Sequence, residues 1–301
     1  ASTLHPPPNR LPGAIRRTRL KRRGMPLRSV RGTIPRPLAA FTRHPPPPIL
    51  IITYLPTTPK PIRNAQFGDN HPNLEALEAV IADATAQGCE KWVCMGDVVG
   101  YNANPGECLE RVRAMDIPVV KGNHDEDASG DHSLESMNPI AAEALEWTRR
   151  QLSDEQREWL RKLRMVRQVE AFTVVHSTLD QPQSWNYVTN KFDAMSNFSY
   201  QFTNVCFHGH THVPRVFVRS ARVKEIPADS VQVEEGMKYF NNVGSVGQPR
   251  DGDWRASSVI YDIDSRTGIF RRLEYDLDTA QKKILAARLP EGLAARIAEG
   301  R

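Results

Sequence analysis

From residue 62 onward, short apolar runs alternate with longer amphipathic stretches, and the apolar runs end in similar polar words. Residues 62–68, 91–95 and 117–121 read as strands. Between them, residues 73–87 place Leu74, Leu77, Val80 and Ile81 on one helical face, with Gly88 as a stop. Pro105 opens a second helix through Met115, and Asn104 stands where a cap is needed. A β-α-β-α-β order requires largely parallel strands joined by helical crossovers. Open α/β sheets keep their chemistry just beyond the carboxyl ends of the strands. Asp69-Asn70-His71, Gly96-Asp97 and Gly122-Asn123-His124 fall at those positions.

Two helices are expected next, over residues 139–152 and 154–163, with Ser153 and Gln156 in capping-box register for the second. Residues 171–175 form a strand ending at His176, and residues 205–207 one ending in Gly209-His210-Thr211-His212. The remainder is β-rich, with strands over 213–219, 238–243, 257–263 and 269–275, before helices between residues 279 and 298. There is no internal repeat.

The seven residues Asp69, His71, Asp97, Asn123, His176, His210 and His212 offer oxygen and nitrogen ligands without thiolates. Such a set suits two borderline or hard divalent cations better than one structural zinc. An Asp able to bridge, an Asn and several His are what a two-metal hydrolase needs to polarise a phosphoryl group. His ligands must be neutral and carboxylates ionised, so metal loading is expected to fail in acid.

Composition narrows the alternatives. The 301 residues are 40% hydrophobic, enough for a sizeable core. The longest apolar run, residues 49–55, is far short of the roughly 20 residues of a membrane span. Cys89, Cys94, Cys108 and Cys206 lack zinc-ribbon or Cys-x-x-Cys spacing and read as buried free thiols, which fits a cytoplasmic protein. The net charge of +5 is segregated: residues 1–63 hold 13 of the 40 Lys/Arg, 14 of the 23 Pro and no acid. The rest carries 27 basic and 35 acidic residues, a net −8, unlike a nucleic-acid groove. Residues 1–61 are expected to be a disordered basic Pro/Arg-rich tail, with residues 62–301 as the folded domain. For the tail, upstream sequence without a selected role, an Arg-rich transit-like leader and a basic arm for nucleic acid or anionic partners all stay open.

Taken in order, Asp-x-His, Gly-Asp, Gly-Asn-His-Asp, a lone His after a strand, and Gly-His-x-His resemble the calcineurin-like metallophosphoesterase superfamily over about residues 62–285. Asn73 to Leu77, Gly96 to Tyr101, Gly122 to Glu126 and Asn242 to Gly252 also resemble a bacterial and archaeal branch of small predicted phosphodiesterases labelled diadenosine-tetraphosphatase-like. The resemblance implies an α/β (α+β) fold, a four-layer αββα sandwich of two mixed β-sheets flanked by helices. It implies that Asp69, His71 and His212 hold one metal, that Asn123, His176 and His210 hold a second, and that Asp97 bridges them. Manganese is expected, and iron, zinc or nickel would fit. The implied reaction is in-line attack by a bridging hydroxide on a small phosphodiester or nucleotide polyphosphate, without a phospho-enzyme. His124 would face the substrate, stabilising the transition state or protonating the leaving oxygen. A phosphomonoesterase or protein phosphatase is the alternative, and a non-catalytic scaffold of the same fold, as in the retromer's phosphoesterase-like subunit, is a further one. The expected partner is a small phosphorylated substrate, with no membrane and with nucleic acid only through the tail.

Other residues carry two readings each. Arg250, in a Gly/Pro-rich loop over residues 244–252, could meet phosphate or stand solvated at a turn. Trp185 and Tyr187 could stack a nucleobase or pack as core or lid. Asp125 could orient His124 or serve as an acidic cap, and His208 reads as a packing residue. The first strand departs from the family pattern, because Asn64 and Gln66 would be polar in a buried central position.

Overall fold

The computed structural model describes residues 62–301; the tail reading for residues 1–61 lies outside them. In chain order the elements are β1 (Arg63–Phe67), α1 (Leu74–Ala86), β2 (Lys91–Cys94), α2 (Pro105–Ala114), α3 (Asn123–Ser129), α4 (Pro139–Gln151) and α5 (Asp154–Arg161). There follow β3 (Val166–Val169), β4 (Phe172–Val175), α6 (Lys191–Tyr200), β5 (Val205–His208), β6 (Arg215–Arg219), β7 (Val223–Ile226) and β8 (Ser230–Gln232). The chain ends with β9 (Lys238–Asn242), β10 (Ala256–Asp262), β11 (Thr267–Leu273), α7 (Leu277–Ala286) and α8 (Glu291–Glu299).

Two sheets result. The first runs β2-β1-β10-β11-β8 and the second β3-β4-β5-β9-β6-β7. Val93, Val259 and Tyr261 of the first meet Phe172, Phe207, Val216 and Tyr239 of the second in an inner core. On the far side of the first sheet, Phe67 and Cys94 pack on Leu77 and Val80 of α1, Leu109 of α2, Leu145 of α4 and Leu160 of α5. On the far side of the second, Cys206, Phe217 and Phe240 pack on Ala194 and Phe198 of α6. The four layers are therefore helices, sheet, sheet and helix, as expected. Each large apolar side chain buried this way contributes roughly 1.5–3 kcal/mol, so the sandwich rests on its three apolar layers.

Local chemistry sets the element ends. Asn73 Oδ1 accepts the Ala76 N–H at 3.2 Å to start α1, and Ser153 and Gln156 form the expected capping box of α5. Asn104 sits at the N-cap of α2, but its amide donates to Glu107 Oε1 at 3.1 Å instead of capping the helix. Residues 117–121 do not form a full strand: Val119 bridges Cys94 and Val120 bridges Arg164, and Pro118 has no N–H to extend a ladder. The expected largely parallel sheet is also corrected. Only β1–β2 and β4–β5–β9 pair parallel, because β10 enters beside β1 antiparallel. α3, α6, β3, β7 and β8 were not legible, being short, polar or at sheet edges. Among the described residues no helix is long and apolar enough to cross a membrane, and all four cysteines are buried and unpaired.

Asn64 and Gln66 face the inner core, opposite Tyr261 and Val259 in register. Both are fully buried, and none of their four amide atoms has a hydrogen-bond partner. An unsatisfied buried polar group costs about 1–3 kcal/mol, whereas an apolar side chain of similar shape does not. Gln66→Leu is therefore expected to raise unfolding stability by about 1–3 kcal/mol, read as a higher urea midpoint at unchanged slope. A midpoint that stays or falls would mean these amides are satisfied in solution.

Candidate metal centre

The polar words converge because β1, β2, β4 and β5 all end toward one edge of the sandwich. Asp69 follows β1 by two residues, Asp97 follows β2 by three, His176 directly follows β4, and His210 follows β5 by two. The turns are held by backbone bonds between them: Asp69 N–H to Gly96 O at 2.9 Å, His71 N–H to Asp97 O at 3.2 Å and Gly209 N–H to His176 O at 2.9 Å. Asp69, His71, Asp97, His210 and His212 all have positive φ, between 37° and 71°. Non-glycine residues rarely adopt this conformation, and where they do, the strain of about 1–3 kcal/mol each tends to mark functional sites.

Two groups of ligand atoms form. Asp69, His71, Asp97 and His212 make one, and Asp97, His176 and His210 the other, with the atoms of each within 4.8 Å of one another. Asn123 joins the second, its Oδ1 lying 3.3 Å from His176 Nε2. All seven residues singled out in the sequence are thus brought together, and Asp97 belongs to both groups. One Asp97 oxygen accepts the His124 N–H at 2.9 Å. The other, Oδ2, is buried without a hydrogen-bond partner and lies 3.7 Å from His71 Nε2 and 3.4 Å from His176 Nε2.

The tautomers show that these donors fit cations. His176 Nδ1 donates to Met95 O at 2.8 Å, His210 Nε2 to Trp185 O at 2.8 Å and His212 Nδ1 to Gln248 O at 2.6 Å. A carbonyl only accepts, so in each neutral ring the other nitrogen points a lone pair inward. Two such lone pairs face each other at 3.1 Å, from His176 Nε2 and His210 Nδ1. His71 Nε2 lies 2.9 Å from His212 Nε2. That convergence is repulsive unless a proton or a metal ion lies between.

The electrostatics agree. Burial pulls His176 down, but Asp97 and then Asp69 outweigh it and raise its pKa to about 9. In the metal-free protein His176 therefore carries a proton where a cation fits. Burial pushes Asp69 up to about 7, against the pull of His176. Asp97 feels the same burial, but the charges of His176 and His124 hold it below the usual carboxylate range. Burial holds His71 and His212 well below the ordinary histidine range, and burial with repulsion from His176 holds His210 at about 3.

A cavity of about 170 Å³ opens onto this centre, lined by Asp97, Tyr101, Asn123, His124, Tyr187 and Arg250 among others. His124 is buried, and burial lowers its pKa despite Asp97 and Asp127. Its ring packs on His71 and Tyr101, at 4.9 and 4.4 Å between centroids. Arg250 reaches the cavity, as the phosphate reading requires. Tyr187 is exposed and stacks on His210 at 4.2 Å, so it is neither core nor free to take a base on that face. Trp185 supplies its carbonyl to His210. Asp125 does not touch His124 by hydrogen bond; its carboxylate accepts N–H groups of Val98, Val99 and Gly122, which makes it a cap tying the Asp97 turn to α3. His208 stacks on Phe240 at 4.1 Å and belongs to neither ligand group. Sequence reasoning missed Tyr101, whose hydroxyl accepts from Arg250 at 3.3 Å. Its signal was its place after Gly100 in the Gly-Asp-Val-Val-Gly-Tyr word. It also missed the Gln248 carbonyl that orients His212.

Comparison with known proteins gives the same direction. Residues 63–266 match the family model for the calcineurin-like phosphoesterase superfamily domain. The chain is 36% identical over 242 residues to an uncharacterized protein of Methanocaldococcus jannaschii, covering 79% of this chain and 98% of that protein. It is 38% identical to a metallophosphoesterase from Sphaerobacter thermophilus of known crystal structure, with a TM-score of 0.72 over 80% of this chain and 100% of the other. A hypothetical protein from Pyrococcus horikoshii, at 18% identity and a TM-score of 0.64 over 80% of this chain and 99% of the other, shares the fold.

Proposed function

The chain belongs to the calcineurin-like phosphoesterase superfamily, and from that premise we propose that it is a dinuclear metal-dependent hydrolase of small phosphodiesters or nucleotide polyphosphates. The observation that carries the reading is the bare Asp97 Oδ2 between two groups of inward-facing histidines. Asp69, His71 and His212 would hold one ion, Asn123, His176 and His210 the other, and Asp97 both. Bound divalent ions supply Lewis-acid polarisation of a phosphoryl oxygen and a nucleophile made from water at neutral pH.

The chain's own residues do the rest. Carbonyls of Met95, Trp185 and Gln248 fix three imidazoles with their lone pairs inward before any ligand arrives. Backbone N–H groups of His210 and His124 hold the carboxylates of Asp69 and Asp97. His124 lines the cavity, and its depressed pKa favours a neutral ring that donates a hydrogen bond to the reacting phosphoryl group. Arg250 supplies fixed positive charge at the wall; among the described residues no carboxylate lies within ion-pair distance of it. Manganese is the metal we propose, on the O/N ligand set.

The test is hydrolysis of bis-p-nitrophenyl phosphate beside p-nitrophenyl phosphate by metal-stripped protein with and without Mn²⁺. Diester cleavage is expected only with the metal, with restoration of at least about a hundredfold. A preference for the monoester would favour a phosphatase. No turnover of either substrate by folded, metal-loaded protein would remove the catalytic reading of these dyes and move weight to a scaffold.

A further inference from the structure

The outer layer of the second sheet carries a groove that shares no lining residue with the cavity at the metal centre. Its volume is about 550 Å³, and it lies between α6 and the turn joining β6 to β7. β6 runs antiparallel to β9, with Arg219 opposite Lys238 at the start of β9, and β9 runs parallel to β5. The metal ligands follow the far ends of β4 and β5, so this turn stands at the opposite edge of the sheet.

Two features set the groove apart from ordinary surface. The first is a second apolar face on α6. Ala194 and Phe198 of this helix pack on the sheet. Phe192 and Met195, one turn apart on another face, line the groove and are 69% and 51% exposed. Val223 of β7 lines it too and is half-buried. A single exposed apolar side chain is ordinary, but several gathered in a concave site mark a place of contact.

The second feature is charge. Lys191, Arg219 and Arg222 also line the groove, and all three are exposed. Lys191 Nζ lies 5.2 Å from the Phe192 ring centroid, so charge and apolar surface adjoin. Among the described residues none of the three has a carboxylate within ion-pair distance, whereas Arg215 of the same hairpin pairs with Glu225. Asp193, the acid of α6, is taken up by Thr189 N–H and Asn190 Nδ2. Residues 215–226 hold four basic side chains and one acid, although residues 64–301 carry a net −8.

The charge selects the occupant. A second copy docking by this same face would bring like charges together, and residues 1–63 of the chain carry 13 Lys/Arg and no acid. We propose that the groove is a docking site for a partner protein, which enters by a short segment with apolar side chains set between acidic ones. The apolar side chains fill the groove against Phe192, Met195 and Val223. The carboxylates meet Lys191, Arg219 and Arg222 at its rim. Burial of an aromatic anchor supplies most of the affinity, and the rim charges set partner choice and speed of encounter. A segment docked here leaves the cavity at the metal centre open.

The probe is a library of random peptides displayed on phage and selected on the full-length, metal-loaded protein. Enriched sequences are expected to place Asp or Glu beside Leu, Ile or Phe. The strongest of them, as a labelled synthetic peptide, is followed by fluorescence anisotropy. It is expected to bind at least about tenfold more weakly to Phe192→Ser and to Arg222→Glu. The same peptide with its acids changed to Lys should bind Arg222→Glu better than wild type. Both side chains are exposed, so circular dichroism and Tm should stay at wild-type values; Arg222→Ala repeats the test without a new charge. Selection without an acidic and apolar consensus, or binding that survives both Phe192→Ser and Arg222→Glu, would overturn the proposal. So would a dimer in sedimentation velocity that Phe192→Ser abolishes, or binding to phosphatidylserine vesicles or polyuridine that Arg222→Ala abolishes. Each of these puts a different occupant in the groove.

Discussion

Asp97→Asn is expected to lower metal-dependent phosphoester hydrolysis by at least about a thousandfold and to cut bound metal from two ions to one or fewer. The substitution keeps the shape of the side chain and the acceptor for the His124 N–H, now 2.9 Å from Oδ1. It removes the negative charge that both ligand groups share. Without it, His176, whose pKa is raised to about 9, loses the largest of the charges that offset its burial. The inward positive charge then has one carboxylate, Asp69, to balance it. The measurement is metal content by elemental analysis beside diester hydrolysis, with circular dichroism as a check on folding. Full metal content and more than a tenth of wild-type activity in Asp97→Asn would rule out a shared bridging role.

Gly122→Ala carries the second-largest expected effect, a loss of about a hundredfold or more in activity with little change in fold. Gly122 has an ordinary φ of −97°, so no backbone strain arises from the substitution. A Cβ there would stand 2.0 Å from Asp97 Oδ1 and 2.5 Å from Asp97 N. Something must move, and because Asp97 N is backbone, the Asp97 turn must shift locally together with its carboxylate. A displacement of about 1 Å at a reacting centre can cost on the order of a hundredfold. Gly209 stands in the same relation to Asp69, with a Cβ position 2.2 Å from Oδ2. Gly106→Ala in α2 is the control, since its nearest neighbour would be 3.7 Å away and Ala favours helix. Wild-type activity in Gly122→Ala would mean that the Asp97 turn relaxes freely, and that its placement is not set by packing against this glycine.

Much of this centre was legible before any coordinates because its ligands sit at strand ends, where short words such as Asp-x-His and Gly-His-x-His mark both a turn and a donor. The four-layer architecture followed from resemblance, and the helices α1, α4 and α5 from periodicity and caps. The rest was hidden for physical reasons. β7 reads Val-Lys-Glu-Ile and lies at a sheet edge, half solvated, so its pattern is weak. α3 begins at a metal-ligand candidate and has no apolar stripe. Residues 117–121 look like a strand by composition, yet Pro118 and two isolated bridges, to Cys94 and to Arg164, keep them outside the ladder. Tyr101 escaped because its meaning comes from a long-range meeting with Arg250, which no local spacing encodes. Asp125 had two readings, and only its three backbone donors chose between them.

The left-handed backbone at Asp69, Asp97, His210 and His212 sets function against durability in this chain. Asn and Gly adopt that conformation at lower cost than His. A laboratory selection for heat resistance alone, run on metal-free protein, should therefore accept Asn or Gly at these positions and report improvement. The winners would be robust and inert. Only a screen that keeps the metal present, so that ligand binding repays the conformational cost, would hold the two properties together.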